Sequence, residues 1–119
     1  MEKGSITKEE IAYVKSIASV FSQKWTFDIV FSLANGNEDA GFNELMKSLN
    51  GISAAVLSNR LKALHKLGYV EREVLAGPPT RTRYKLSEKG RGLLKVADFV
   101  LQHRGKTTYS TEMLSGVRL

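Results

Sequence analysis

Two patterns in this chain could do chemistry on another molecule. In the first, Ala55, Asn59, Lys62 and Lys66 recur at steps that set them on the side of a helix directly away from Leu57, flanked by Ser58 and Ala63, with Ala54 a further small residue at its start. The Asn59 carboxamide can pair with an adenine edge, and the ammonium groups of Lys62 and Lys66 can reach guanine or phosphate. The small residues let a helix backbone approach closely. In the second, Arg81, Arg83 and Lys85 alternate, so they share one face of any strand they form. A row of three cations repels itself; a water-facing edge tolerates that, and the row discourages edge-to-edge pairing. The same row, with Arg72 nearby, also suits contact with phosphates beside a groove. Each pattern alone is also what an ordinary solvated surface looks like.

Other chemistries find no support. Cysteine is absent, which removes disulfides, thiolate nucleophiles and thiol switches. His65 and His103 are far apart and have no acidic partners at ligand spacing, so no metal site is expected. Gly36 and Gly41 have the spacing of a phosphate-binding loop, but no Lys-Ser/Thr pair follows. With no nucleophile and base pair and no acidic dyad, neither an enzyme nor a cofactor is expected.

Positive charge is concentrated. Residues 1 to 49 hold five Lys/Arg against seven Asp/Glu, whereas residues 50 to 106 hold twelve against four. Such a field favours a polyanion, because neutralised phosphates release counterions. With 119 residues, 42% of them hydrophobic, the chain suffices for one domain spanning 1–119. No apolar run approaches the ~18 residues of a membrane span. Met1-Glu2-Lys3-Gly4-Ser5 lacks a signal-peptide pattern, so a cytoplasmic location is expected, with no membrane partner.

The elements that must position these residues are legible. Thr7-Lys8-Glu9-Glu10 has capping-box spacing and opens a first helix with an apolar face at Ile11, Val14, Ile17, Ala18 and Phe21. A second helix is predicted from Trp25 to Leu33, with Trp25 read as core rather than as an effector-pocket wall; the pair spans 7–34. Residues 37–41 read as loop. Phe42, Leu45, Met46 and Leu49 give a short third helix ending at Asn50-Gly51; Ser53 then caps a fourth, which Gly68 closes. Residues 42–67 therefore form a helix-turn-helix. Residues 69–75 and 81–86 alternate as strands around a Pro78-Pro79 turn, giving a hairpin over 69–86. A last helix over 87–104, capped by Ser87, has a broad apolar face at Leu93, Leu94, Ala97, Val100 and Leu101, widened by Val96 and Phe99. The tail, 105–119, is polar and without period. The fold class is α+β and mostly helical.

A basic hairpin directly after a helix-turn-helix has the arrangement of a wing, which grips DNA beside the reading helix. Several segments carry a family likeness. They are Lys24-Trp25-Thr26-Phe27-Asp28-Ile29-Val30; Phe42-x-Glu44-Leu45; Gly51-Ile52-Ser53-x-x-Val56-Leu57-Ser58-x-Arg60-Leu61-Lys62-x-Leu64; Gly68-Tyr69-Val70-x-Arg72; Pro78-Pro79; and Tyr84-x-Leu86-Ser87-Glu88-Lys89-Gly90. Over residues 20 to 95 this order resembles the HxlR family of winged helix-turn-helix regulators. The resemblance implies a homodimer joined by the first and last helices, reading helices in successive major grooves and control of transcription initiation. Three features depart from it. Gly41 stands where the family often has arginine. The wing is one residue longer between Pro79 and Tyr84, and its Arg-x-Arg strand is similar to MarR-type regulators. Without cysteine, the thiol sensing used by some members is excluded.

The resulting expectation is a transcriptional regulator, more readily a repressor than an activator. Its homodimer would occupy a pseudo-palindromic double-stranded operator with half-sites about 10 bp apart. DNA contacts are assigned to Ser53, which caps the reading helix, to Ala54, Ala55, Ser58, Asn59, Lys62 and Lys66, and to Arg72, Arg81, Arg83 and Lys85. The dimer interface is assigned to Ile11, Val14, Ile17, Phe21, Leu94, Ala97, Val100 and Leu101. His65 reads as solvated. The sequence names no small-molecule effector. The alternative is a winged-helix protein-interaction module within a larger assembly, since fold does not fix function; the absence of aromatic anchors on the outward stripe argues against it.

Overall fold

The first helix is capped by Thr7, whose hydroxyl accepts the Glu10 amide at 3.1 Å while the Glu10 carboxylate accepts the Thr7 amide at 2.9 Å. This reciprocal cap starts α1, Lys8–Phe21, in a computed structural model that describes residues 4–35 and 40–105. Then follow α2 (Thr26–Asn35), β1 (Ala40–Gly41), α3 (Phe42–Ser48), α4 (Ala54–Lys66), β2 (Val70–Leu75), β3 (Arg81–Leu86), α5 (Glu88–Arg91) and α6 (Leu93–Gln102). The tail beyond Gly105, the turn at Gly36 and residues 37–39 lie outside the described residues.

α2 runs through the centre of the core. Its Ile29, Val30 and Leu33 are buried together with Leu45 of α3, Leu57, Leu61 and Leu64 of α4, and Val70, Tyr84 and Leu86 of the strands. Each of the three α4 leucines contributes about 2 kcal/mol through burial. The opposite side of α4 is thereby forced into solvent. The helix ends in a left-handed glycine, Gly68 at φ 85°, with its amide on His65 O at 3.0 Å and the Tyr69 amide on Leu64 O at 2.9 Å. Lys89 Nζ donates to Leu67 O at 2.9 Å and Ser87 Oγ donates to Gly68 O, so residues that follow the hairpin catch the end of α4.

The sheet has the order β1-β3-β2 and is antiparallel, with Val70 opposite Leu86, Arg72 opposite Tyr84, Glu73 opposite Arg83 and Leu75 opposite Arg81.

Three expectations change. Ala40 and Gly41, read as loop, form β1 against Tyr84 and Arg83. The helix expected to begin at Trp25 begins at Thr26, because Trp25 itself has φ 80°, outside helical space. The single helix expected over 87–104 is two, α5 and α6, meeting at Gly92, whose amide is shared between Glu88 O and Lys89 O. Gly90 and Gly92, two poor helix formers in three residues, weaken the helix at that point.

Candidate nucleic-acid interface

Ser53 starts α4 by accepting the Val56 amide on Oγ at 3.1 Å. From that cap the helix presents Ala54, Ala55, Asn59, Lys62 and Lys66 as exposed residues, with Ser58 half-buried at the flank nearest the hairpin. The assigned strip is therefore a continuous outward face. The helix is also held from behind: Arg60 Nε donates to Lys24 O at 2.9 Å, the Lys24 ammonium lies 5.5 Å from the Trp25 ring centre, and that ring packs beside Gly51 in the turn before α4. Trp25 is half-buried against the core.

The hairpin cations do not act as one set. Because Arg72 pairs with Tyr84, it shares the Tyr84 face, turned toward α4, whereas Arg81, Arg83 and Lys85 occupy the other face. There they stand directly across from Leu75, Glu73 and Glu71. The three-cation row is thus opposed by two carboxylates, and Arg83 is half-buried with Nη1 3.9 Å from Glu44 Oε1. Exposed pairs of this kind hold little energy, but they reduce the local positive potential. The sequence missed this because strand facing depends on the length of the turn, here residues 76–80.

Two recesses lie beside α4. One, of about 230 Å³, is lined by Ser58, Leu61, Lys62, His65, Arg72 and Tyr84. The other, of about 510 Å³, joins Ser58 to Arg81, Thr82 and Arg83 and to residues 41–44. Ser58 and Tyr84 line both, so α4 and the hairpin form one surface. Lys85 lines neither. His65 is the site residue that sequence reasoning passed over; its step of three from Lys62 and seven from Ser58 was the available signal.

A second surface is apolar. In α1, Ile11 and Val14 are exposed, and in α6 so are Val96, Phe99, Val100 and Leu101, with Val14 and Phe99 both at 61%. Leu94 and Ala97 are half-buried, and α6 has no fully buried residue. Between the two helices lies a groove of about 530 Å³ whose walls include Val14, Ile17, Phe27, Leu93 and Val96. Phe21, assigned to the dimer interface, is instead a core residue 8% exposed, its ring 5.2 Å from those of Phe27 and Tyr69; it contributes the groove's floor. Ile17 likewise packs partly on the core. Among the described residues no group of three or more His, Cys, Asp or Glu is placed to hold a metal, and no helix is long and apolar enough to cross a membrane.

Comparison with known proteins agrees with this geometry. Residues 20–112 match the HxlR-like helix-turn-helix family. The helix-turn-helix-type transcriptional regulator YvaP of Bacillus subtilis is 39% identical over 77 residues, covering 65% of this chain and 69% of that protein. YodB, another such regulator of B. subtilis, is 34% identical over 70% of this chain and 72% of its own. The structure of diamide-treated YodB superposes with a TM-score of 0.68 at 27% identity, covering 88% of this chain and 98% of that one. A protein of Enterococcus faecalis assigned to the MarR family reaches 0.70 at 27% identity, over 84% and 89% of the two chains. The resemblance to both HxlR and MarR regulators expected from the sequence is therefore found, as is the winged helix-turn-helix fold.

Proposed function

The chain belongs to the HxlR-like helix-turn-helix family of DNA-binding transcriptional regulators, and we propose that it works as a cytoplasmic homodimer that represses by occupying a pseudo-palindromic operator and blocking polymerase. The observation that carries this reading is the outward strip of α4 flanked by the Arg72 and Arg81 sides of the hairpin. In it, Asn59 and Lys62 choose bases, Ser53, Ala54, Ala55 and Ser58 allow close approach, and Lys66, Arg72, Arg81, Arg83 and Lys85 add sequence-independent affinity. Arg83 and Lys85 count for less than Arg72 and Arg81, because Glu73 and Glu71 stand across from them.

Dimerisation through α1 and α6 is supported by the apolar surface they leave in water, including Ile11, Val14, Val100 and Leu101. A monomer rarely exposes a large contiguous apolar patch without a partner. A two-fold dimer would set its reading helices about one DNA turn apart, ~34 Å, with half-sites ~10 bp from centre to centre.

The experiment is selection of duplexes from a random pool, followed by titration of the best and of an unrelated duplex at several salt concentrations. A specific affinity ~10³-fold or more above the unrelated duplex, lost in Asn59→Ala/Lys62→Ala while the salt slope falls by only ~1, is the expected result. Equal, weak and steeply salt-dependent binding to both would refute sequence reading by α4.

A further inference from the structure

The smaller recess contains a histidine whose ring orientation has chemical consequences. His65 Nδ1 lies 3.1 Å from the carbonyl oxygen of Val70, the first residue of β2. A carbonyl oxygen can only accept, so Nδ1 carries the hydrogen and Nε2 is bare when the ring is neutral. The ring shares the recess with Lys62 from its own helix, Arg72 from β2 and Tyr84 from β3. No carboxylate lines it. Arg72 is exposed and forms no salt bridge among the described residues. Lys66, one residue further along α4, is exposed as well.

We propose that this recess, beside the base-reading Lys62, seats a single phosphate of the DNA backbone held by Arg72 and the His65 ring, and that DNA binding takes up one proton at His65 Nε2 of each protomer. The proposal rests on the DNA-binding reading of the same surface and assigns His65 a role in it. Two permanent cations, a hydroxyl at Ser58 and no acidic wall fit an oxyanion. A base edge fits less well: reading helices meet bases through their N-terminal turns, and His65 stands roughly 16 Å along the axis from Ala54 at 1.5 Å per residue. The proton follows from the Val70 bond. With Nδ1–H committed there, a neutral ring turns a lone pair toward the anion, whereas the imidazolium turns an N–H toward it. Protein, DNA and a solvent proton thus combine into the complex, and the charge that favours imidazolium within the recess arrives with the ligand.

The test uses the full chain and a duplex selected by the wild-type protein. As pH falls from about 8 to about 6, wild-type affinity should rise more than that of His65→Gln, by up to tenfold per unit for each protomer and so up to ~10² per unit for the dimer, since each protomer takes up one proton. Methylphosphonate placed at each phosphate in turn should reveal one position in each half-site that weakens the wild type severalfold and leaves both His65→Gln and Arg72→Ala indifferent. Arg72 is exposed, so Arg72→Ala keeps the mapping informative even if the histidine variant melts early. Equal pH slopes for wild type and His65→Gln, or identical phosphate profiles for all three proteins, would overturn the proposal. If no duplex is selected at all, the regulator reading itself falls, and the proposal with it.

Discussion

Arg60 and Lys24, 36 positions apart, are joined by a 2.9 Å hydrogen bond from the Arg60 Nε to the Lys24 carbonyl. The bond links the inner flank of the reading helix to the corner between α1 and α2. That corner is a strained place: Trp25, the next residue, sits at φ 80° with its ring against the helix-turn-helix turn. Arg60→Ala should cost about 1 kcal/mol in urea unfolding with an unchanged m-value, and should weaken specific DNA binding although Arg60 lies off the outward face. An unaltered unfolding midpoint would mean the bond contributes nothing.

Removing an acid from the hairpin should strengthen DNA binding. Glu73 stands across from Arg83, so Glu73→Gln removes the carboxylate directly opposite that guanidinium. The expected result is tighter binding to specific and unrelated duplexes alike, with a salt slope steeper by up to ~1. Titrations at three or more salt concentrations measure it; an unchanged affinity and salt slope would show that the odd-numbered hairpin face is turned away from the phosphates.

The apolar face predicts an oligomeric phenotype separable from folding. Val14 and Phe99 are each 61% exposed, so Val14→Glu and Phe99→Glu place their charges in water in a single chain. Sedimentation equilibrium should find a dimer for the wild type and a monomer for the double variant, with helical circular dichroism retained. Operator affinity should fall by ~10² or more as bivalent binding is lost. A variant that stays dimeric would move the interface elsewhere.

Gly90 should accept no side chain. A Cβ there would lie 2.0 Å from the Tyr69 carbonyl oxygen, a backbone atom that cannot swing away. Gly90→Ala is expected to destabilise the protein by roughly 1–3 kcal/mol, the usual cost of overpacking, read as a lower thermal midpoint. Gly4→Ala, where a Cβ meets nothing within 4 Å, is the control and should be neutral.

Much of this arrangement was legible in the sequence because its signals are local. The Thr7 and Glu10 box, the Ser53 cap, the Leu57, Leu61 and Leu64 line and Gly68 each act within one or two turns, and the structure holds them where the spacing predicts. What escaped is what depends on distant partners. A two-residue strand cannot show alternation, and Ala40 and Gly41 are a strand only because β3 offers them an edge. Which hairpin cations face α4 is decided by the register of β2 on β3, a quantity that no single strand contains. Phe21 has the same spacing as its exposed neighbours on α1, yet Phe27 and Tyr69 enclose it. His65 gains its meaning from Val70 O, a backbone atom with no trace in residue type.

Ser87 and Lys89, clasping the carbonyls of Gly68 and Leu67, tie the two ends of the hairpin to one point at the foot of α4. The arm is thus built like a cantilever. Its root cannot slide without breaking both clasps, while residues 76–80 at the far end are exposed and bear on nothing comparable. Displacement grows with distance from the fixed end, so an obstacle met by the tip would move the tip most and the helix that shares its root least.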